Sequence, residues 1–146
     1  MSSIWHRRPE SSLIHKMSQG TIDEHLGIKI IDVGDDFITG TMPADQRTMQ
    51  PYGVVHGGAN VVLAESLGSI AGGHGNEMKN ELCSGQEIRA THIRPVSSGL
   101  VTGTARPLHI GRRSQVWEIR LSNNEEKLSC IAKLILAIVP RDATNY

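Results

Sequence analysis

The segment from residue 50 to residue 69, QPYGVVHGGANVVLAESLGS, decides the fold, because its second half predicts a buried helix. The helix is predicted to begin near Gly57 and to stop at the pair Gly72 and Gly73. Between these limits nearly every residue is apolar, and a helix that is apolar all round is buried on most faces. Glu65 is its only charge, so a buried helix carries an unexplained carboxylate.

Strand patterns lie on both sides of this helix. Before it, LGIKIIDVGDDFITGTMP has β-branched residues on either side of residues 34–36, which predicts a hairpin turn there. After it come four more strand candidates separated by short turns, at residues 81–95, 99–110, 114–122 and 128–139. The last alternates imperfectly, so its pattern alone also permits a helix.

These patterns predict one α+β domain. A short helical stretch at residues 11–24, interrupted by Gly20, precedes the strands. Strands joined by short turns favour an antiparallel sheet, and the apolar helix must pack on it. We therefore predict a single domain over 1–146, with an N-terminal helical segment at 1–25, a sheet curled around one helix at about 57–71, and a tail at 140–146. Such a sheet leaves an edge that a partner subunit could cover.

Composition argues against several classes of protein. Lys and Arg together number 15, as do Asp and Glu, so no net charge points to nucleic acid or to an anionic membrane. Aromatic residues make up 3% of the chain, too few for a base-stacking surface. Neither a signal peptide nor a membrane span is evident. Two distant cysteines, Cys83 and Cys130, suit free thiols in a reducing cytosol, so we predict a cytoplasmic protein. The histidines form no metal-binding motif, so no metal is predicted.

Five residues around the helix start could carry chemistry. Gly57 begins the helix, where a free N–H and the positive end of the dipole can hold an oxyanion. Gln50 and His56 lie in the preceding loop, and the Gln50 amide could polarise the same carbonyl. Glu65 could act as a base or a nucleophile, with Ser69 on its face one turn later. Together these groups predict acyl transfer.

The spacing of these groups predicts a site shared by two subunits. Gly57 and Glu65 are eight residues apart, which is ~12 Å along a helix. A catalytic carboxylate must come within about 3 Å of the reacting group. Glu65 therefore cannot reach a carbonyl held at its own Gly57, and two antiparallel helices of a two-fold dimer must face each other.

Simpler roles are open for each of these residues. Glu65 could pair with a buried Arg or Lys, and His56 could be a hydrogen-bonded loop histidine. The hydroxyl of Ser69 could bond to its own helix backbone. A serine hydrolase is poorly supported, because the chain contains no G-x-S-x-G motif.

The opening segment, followed by ATHIRPVSSG and PLHIGRRSQVWEI, resembles the hotdog-fold acyl-CoA thioesterases. It is similar to the branch with the 1,4-dihydroxy-2-naphthoyl-CoA hydrolases, the enterobactin proofreading thioesterase and the Glu-dependent 4-hydroxybenzoyl-CoA thioesterases, from about Leu26 to Ile138. This resemblance implies a hotdog fold, hydrolysis of an acyl-CoA with an aromatic or related acyl group, and no cofactor. The implied catalytic residues are Gln50, His56, Gly57, Glu65 and Ser69.

The resemblance also implies partners. It implies a dimer of dimers, or homotetramer, with sheets joined edge to edge and Glu65 opposite the partner's Gln and Gly. The matching residues for coenzyme A are Gly85, His92, Ile93, Arg94, Pro95, His109, Ile110, Gly111, Arg112, Arg113 and Ser114. The arginines would serve the phosphates, or could be ordinary surface charges. A non-catalytic module that binds acyl-CoA or an acyl carrier protein is the alternative function.

Three segments depart from the family pattern. GGHGNEMKNELCS, residues 72–84, matches poorly in detail, and the tail PRDATNY extends beyond the usual end. Arg89 stands where a small polar residue is expected, which could alter the channel wall. These departures concern substrate selectivity more than the chemistry.

Overall fold

Six antiparallel strands form one sheet in the computed structural model, which describes residues 2–143. In chain order they are β1 (Lys29–Val33), β2 (Ile38–Pro43), β3 (Glu81–His92), β4 (Leu100–Ile110), β5 (Ser114–Ser122) and β6 (Leu128–Pro140). Their order in the sheet is β1-β2-β4-β5-β6-β3. The predicted turn joins β1 to β2, with the N–H of Gly34 donating to the carbonyl of Phe37 at 3.0 Å. Residues 128–139 lie in a strand, so the helical alternative for them is wrong.

Within residues 2–143 three α-helices accompany the sheet: α1 (Ser11–Met17), α2 (Ile22–His25) and α3 (Gly57–Gly75). Gly20 lies between α1 and α2 with a φ of 75°, so it breaks the helical stretch as predicted. A short 3-10 turn, Arg141–Ala143, follows β6. The predicted tail therefore begins inside β6, and its residues 144–146 lie outside the described part of the chain.

The core forms where α3 crosses the sheet. Leu63, Ala64, Leu67 and Ala71 are fully buried on one side of this helix. The helix contacts every strand from β2 to β6. Gly103 of β4 permits the close approach, since a Cβ there would lie 2.7 Å from a methyl of Leu67. The sheet is therefore curled around one central helix, as the sequence predicts.

The end of α3 differs from the prediction. The helix continues through Gly72 and Gly73 to Gly75, rather than stopping at the glycine pair. Gly72 is buried, and a Cβ there would lie 2.9 Å from both Cys83 Sγ and Gln115 Oε1. This glycine therefore serves close packing of the helix on the sheet rather than termination.

The residues before α1 dock on the core. The rings of Trp5 and Trp117 stack with centroids 6.3 Å apart, and Trp5 Nε1 donates to the carbonyl of Gly34 at 2.8 Å. Trp117 Nε1 donates in turn to the buried Gln115 Oε1 at 2.8 Å. A hydrogen bond of 3.2 Å from Gln115 Nε2 to the carbonyl of Gly72 continues this chain to α3.

The strand β3 is the long edge of the sheet. Among the described residues it pairs only with β6, so its other edge is open. Gln86 is left out of the pairing register between Gly85 and Glu87, which marks a bulge. Ile88 and Ala90 pack against the core. Arg89 consequently lies on the opposite face, where it pairs with Glu87 at 2.7 Å, so its side chain points away from α3.

Candidate active site

The N-terminus of α3 carries an open hydrogen-bond donor. His56 is its N-cap residue, and its Nδ1 accepts a hydrogen bond of 2.8 Å from the N–H of Gly58. Because Nδ1 is the acceptor, the neutral ring carries its proton on Nε2, which can donate to a ligand. Within residues 2–143 the N–H of Gly57 has no hydrogen-bond partner. The N–H of Gly57 and Nε2 of His56 are therefore two donors at the positive end of the helix.

The loop before α3 fixes the orientation of the Gln50 amide. Gln50 Oε1 accepts a hydrogen bond from the N–H of Tyr52, and the carbonyl of Gln50 accepts one from Gly53 at 3.0 Å. The loop is tied to α3 by the N–H of His56, which donates to the carbonyl of Thr48 at 2.7 Å. Gln50 Nε2 is thus left as a donor without a partner among the described residues.

His92 lies directly against Gly57. A Cβ on Gly57 would be 2.8 Å from His92 Nε2, so only glycine permits this contact. Asn60 Nδ2 approaches His92 Nδ1 at 3.5 Å, and the buried Asn60 Oδ1 has no partner in the part of the chain that is described. Sequence reasoning assigned no role to Asn60, although a polar residue in an apolar helix was a usable signal.

The carboxylate of Glu65 lies against Gly85 of β3. It is half-buried, and a Cβ on Gly85 would overlap Glu65 Oε1. No Lys or Arg within residues 2–143 pairs with this carboxylate, so the role of a structural ion pair has no support. Glu65 is available to a ligand.

Ser69 faces a cavity of about 500 Å³ between α3 and the two N-terminal helices. Its hydroxyl makes no hydrogen bond to any described residue, so the backbone-bonded alternative is not observed. Ser66 lines the same cavity and donates from Oγ to Asp23 Oδ1 at 2.6 Å. Sequence reasoning missed Asp23, because only folding brings it beside α3.

The candidates for coenzyme A separate into two groups. Ile93 and Arg94 follow His92 near the N-terminus of α3, and their N–H groups donate to the carbonyl of Ser129 at 2.8 and 3.1 Å. Arg94 Nη1 donates to the carbonyl of Leu128 at 2.5 Å, which holds the guanidinium at the surface. Pro95 is exposed next to it.

The second group lies at the opposite end of α3. Asn76, the C-cap residue of the helix, donates from Nδ2 to the carbonyl of Gly111 at 2.9 Å. A cavity of about 550 Å³ there is lined by Ile110, Gly111, Arg112 and Arg113, together with Glu77 and Glu81 among others. His109 packs on Gly111, and the N–H of Gly111 donates to the carbonyl of Ser114 at 3.0 Å. One subunit therefore does not bring the two groups together.

The cysteine thiols offer no nucleophile. Burial raises the pKa of the Cys83 thiol to about 11, and burial also raises the pKa of Cys130. A thiol is nucleophilic as the thiolate, and burial disfavours that form at both residues.

Comparison with known proteins identifies the family. The family model of the thioesterase superfamily matches residues 52–130, a stretch that contains the start of α3, Glu65, Gly85 and His92. The chain belongs to the thioesterase superfamily. The predicted enzyme class, a thioester hydrolase, is therefore confirmed.

Named relatives of this thioesterase agree with the predicted branch. The chain is 42% identical to the 1,4-dihydroxy-2-naphthoyl-CoA hydrolase of Escherichia coli, over 93% of this chain and 99% of that protein. It is 43% identical to a proofreading thioesterase of Cronobacter turicensis, over 93% of this chain and 98% of that protein. The resemblance found from the motifs is confirmed.

A solved structure supports the fold of the thioesterase. A mutant thioesterase from Pseudomonas aeruginosa superimposes with a TM-score of 0.93 at 43% identity, covering 94% of this chain and 99% of the other. The hotdog fold is thus confirmed. No helix among the described residues is long and apolar enough to cross a bilayer, and no three metal-binding side chains cluster within them.

Proposed function

We propose that this thioesterase hydrolyses an acyl-CoA with an aromatic or related acyl group, releasing the free acid and coenzyme A. The observation that carries the proposal is the carboxylate of Glu65 on α3, which is half-buried and has no cation partner among the described residues. The first N–H of the same helix, that of Gly57, has no hydrogen-bond partner among them either. The relative named for a naphthoyl-CoA substrate supports the aromatic class. The proposed location is the cytoplasm, and the residues in the site need no cofactor.

The thioester carbonyl binds at the N-terminus of α3 in this proposal. The N–H of Gly57 and the helix dipole stabilise the charge that develops on the carbonyl oxygen. Gln50 Nε2, oriented by the bond from Tyr52, donates to the same oxygen. His56 donates from Nε2 and orients the thioester or its leaving end.

Glu65 performs the chemical step in one of two ways. It attacks the carbonyl carbon, expels the thiolate of coenzyme A and forms a mixed anhydride, or it activates a water molecule. We favour attack, because a carboxylate beside a held thioester needs no further base for that step. In the first route water then hydrolyses the anhydride, which releases the free acid and regenerates Glu65. A rapid acid quench followed by mass spectrometry should find an acylated Glu65 peptide in the first route and none in the second.

The active site is shared between subunits in this proposal. Within one subunit Gly57 lies against His92 and Glu65 lies against Gly85, seven residues apart on the same strand. Two copies of β3 could pair antiparallel through their open edges, with Arg89 at the centre of the pairing. Because Gln86 is outside the register, Gly85 would then lie opposite His92 of the partner subunit. The partner's Gly57 would then approach Glu65.

The same pairing explains the separation of the candidates for coenzyme A. It would bring the end of one subunit that contains Arg112 and Arg113 toward the end of the partner subunit that contains Arg94. Coenzyme A would lie between them, with arginines at its phosphates. Two such dimers would form the proposed tetramer.

The central test is thiol release from benzoyl-CoA and from short- and long-chain acyl-CoAs. Glu65→Gln keeps the size of the side chain and removes its charge, and we expect the rate to fall about a thousandfold. Glu24→Gln, an exposed carboxyl remote from the start of α3, serves as the matched control. Equal rates for wild type and Glu65→Gln would reject the proposal, and tight binding of the esters without turnover would favour the binding module.

A further inference from the structure

A buried amide lies behind the donors at the start of α3. Asn60 is 6% exposed, and the other buried residues of this helix are apolar or glycine. The backbone N–H of Asn60 donates to the carbonyl of His56 at 3.2 Å, so the helix forms its own bond there without the side chain. Asn60 Oδ1 has no partner among the described residues. Since asparagine is a poorer helix former than alanine and a buried acceptor without a partner lowers stability, packing does not explain this residue.

The ring of His92 depends on this amide for its orientation. His92 is the last residue of β3, is exposed to solvent and pairs through its backbone with Cys130 of β6. Within residues 2–143 the ring has one hydrogen-bond partner, because Asn60 Nδ2 lies 3.5 Å from His92 Nδ1. The sheet therefore fixes the backbone of His92, and Asn60 supplies the hydrogen bond that orients the side chain.

The donor of that bond determines the tautomer of the ring. Asn60 Nδ2 can only donate, so Nδ1 of a neutral His92 accepts and the proton of the ring lies on Nε2. The opposite orientation of the amide would leave Nδ2 buried without an acceptor, and buried N–H groups without a partner are rarer than carbonyl oxygens without one. His92 Nε2 is the atom that lies 2.8 Å from the position of a Cβ on Gly57. The bond from Asn60 therefore directs an N–H donor toward the start of α3.

We infer that Asn60 is a positioning residue, which holds the neutral ring of His92 with its proton on Nε2 beside the N–H of Gly57. This inference rests on the proposed thioesterase site and adds a residue that is itself buried away from the substrate. The N–H of His92 stabilises the charge that develops on the thioester. Because this charge is larger in the transition state than in the bound ester, misplacing the donor lowers kcat more than it raises KM.

The first experiment determines the tautomer of His92 in solution. Long-range proton–nitrogen NMR spectra of the full-length protein with isotope-labelled histidine distinguish the two neutral tautomers, and they are recorded at about pH 9, where imidazole rings are ordinarily neutral. The chain contains seven histidines, so the signals of His92 are identified by their loss in His92→Gln. We expect the proton on Nε2 in wild type and on Nδ1 in Asn60→Asp, because a carboxylate accepts hydrogen bonds and donates none. A proton on Nδ1 in wild type would overturn the inference.

The second experiment tests whether Asn60 acts through His92. It measures kcat and KM for thiol release from benzoyl-CoA at the same pH. Asn60→Asp should lower kcat about tenfold and leave KM within about twofold, as expected when a hydrogen bond to the transition state is lost. In the His92→Gln background the same substitution should lower kcat by about twofold at most, because the ring through which it acts is gone. An equal fall in both backgrounds would show that the new charge acts directly on the start of α3, contrary to the inference.

Two further variants complete the test. Gln19→Glu makes the same change from amide to acid at an exposed residue between α1 and α2, so kcat and the signals of His92 should stay as in wild type. Asn60→Leu removes the bond without adding a charge, and it should lower kcat severalfold only where His92 is present.

The remaining outcomes also decide. Should Asn60→Asp fail to fold, the tautomer in wild type and the kinetics of Asn60→Leu are sufficient, because an unchanged kcat in Asn60→Leu contradicts the positioning role. Absence of turnover in wild type contradicts the proposed function instead, and the tautomer of His92 then still tests the bond from Asn60 by itself.

Discussion

Gly85 positions the proposed catalytic carboxylate through the absence of a side chain. A Cβ at this residue would overlap Glu65 Oε1, so Gly85→Ala must displace the carboxylate. Since misplacement by about 1 Å can cost a hundredfold in rate, we expect kcat for benzoyl-CoA to fall at least about tenfold. Gly75→Ala is the control, because its Cβ would meet its neighbours at 3.6 Å or more, an ordinary contact. An unchanged kcat in Gly85→Ala would contradict this geometry.

Cys83 should react slowly with alkylating reagents. Burial raises its pKa to about 11 from an ordinary value of 9.0, so at pH 8 only about one molecule in a thousand carries the thiolate. The rate of alkylation by iodoacetamide should rise about tenfold per pH unit until the pH nears 11, whereas the unfolded chain should level off near pH 9. The same shift makes the free energy of unfolding depend on pH. Because the pKa of Cys83 is higher in the folded protein, the neutral thiol contributes stability below pH 9, and this contribution is lost as the pH rises through 11. Mass spectrometry of the Cys83 peptide measures the alkylation. Fast alkylation of this peptide in the folded protein at pH 8 would contradict the prediction.

At the scale of residues, prediction from sequence succeeds where the relevant groups share one segment. Gly57 and Glu65 lie on one helix, so the rise per residue alone shows that they cannot meet within a subunit. Asp23 is 43 residues from Ser66 along the chain, and no local pattern connects them. Nor does the sequence show that His92 lies on Gly57, because that contact depends on how β3 crosses the helix.

The central helix contains a matched pair of glycines with opposite environments. Gly72 faces the sheet, where a Cβ would overlap Leu136 and lie 2.9 Å from Cys83 Sγ, while Gly73 is exposed with nothing within 4 Å. We expect Gly72→Ala to lower the free energy of unfolding by about 1–3 kcal/mol through overpacking. Gly73→Ala should raise it by about 0.5–1 kcal/mol, because alanine is the better helix former. Urea titrations of both variants test this, and equal effects would show that the two positions do not differ in packing.

These glycines also explain why the end of the helix was predicted wrongly. A glycine pair at the end of an apolar run is typical of a C-terminal cap, and the local sequence supports that interpretation. Gly72 is instead required by the sheet, which approaches through Leu136 and Gln115. The strands, in contrast, were predictable, because β-branched residues and polar turns mark them locally.

At the scale of the whole molecule, two features support the proposed dimer. One is the open edge of β3, and the other is the separation of the two groups of coenzyme A candidates within one subunit. The strand presents unpaired backbone groups along Glu81–His92, and a second copy can satisfy them. The proposed shared site follows from the sequence alone, because the distance along one helix separates Gly57 from Glu65. The residues of β3 that would lie at the proposed junction cannot be predicted from the sequence, since they depend on the bulge at Gln86.

A shared site predicts that two inactive variants restore each other. In a mixed dimer of Glu65→Gln with a Gln50→Ala/His56→Ala double variant, one site contains both defects and the other contains neither. If equal amounts are unfolded together and refolded, half of the dimers are mixed and each has one intact site, so thiol release from benzoyl-CoA should reach about a quarter of the wild-type rate. Glu65→Gln refolded with itself is the control and should stay inactive. A site contained within one subunit would give no recovery in the mixture, because every subunit would carry a defective site.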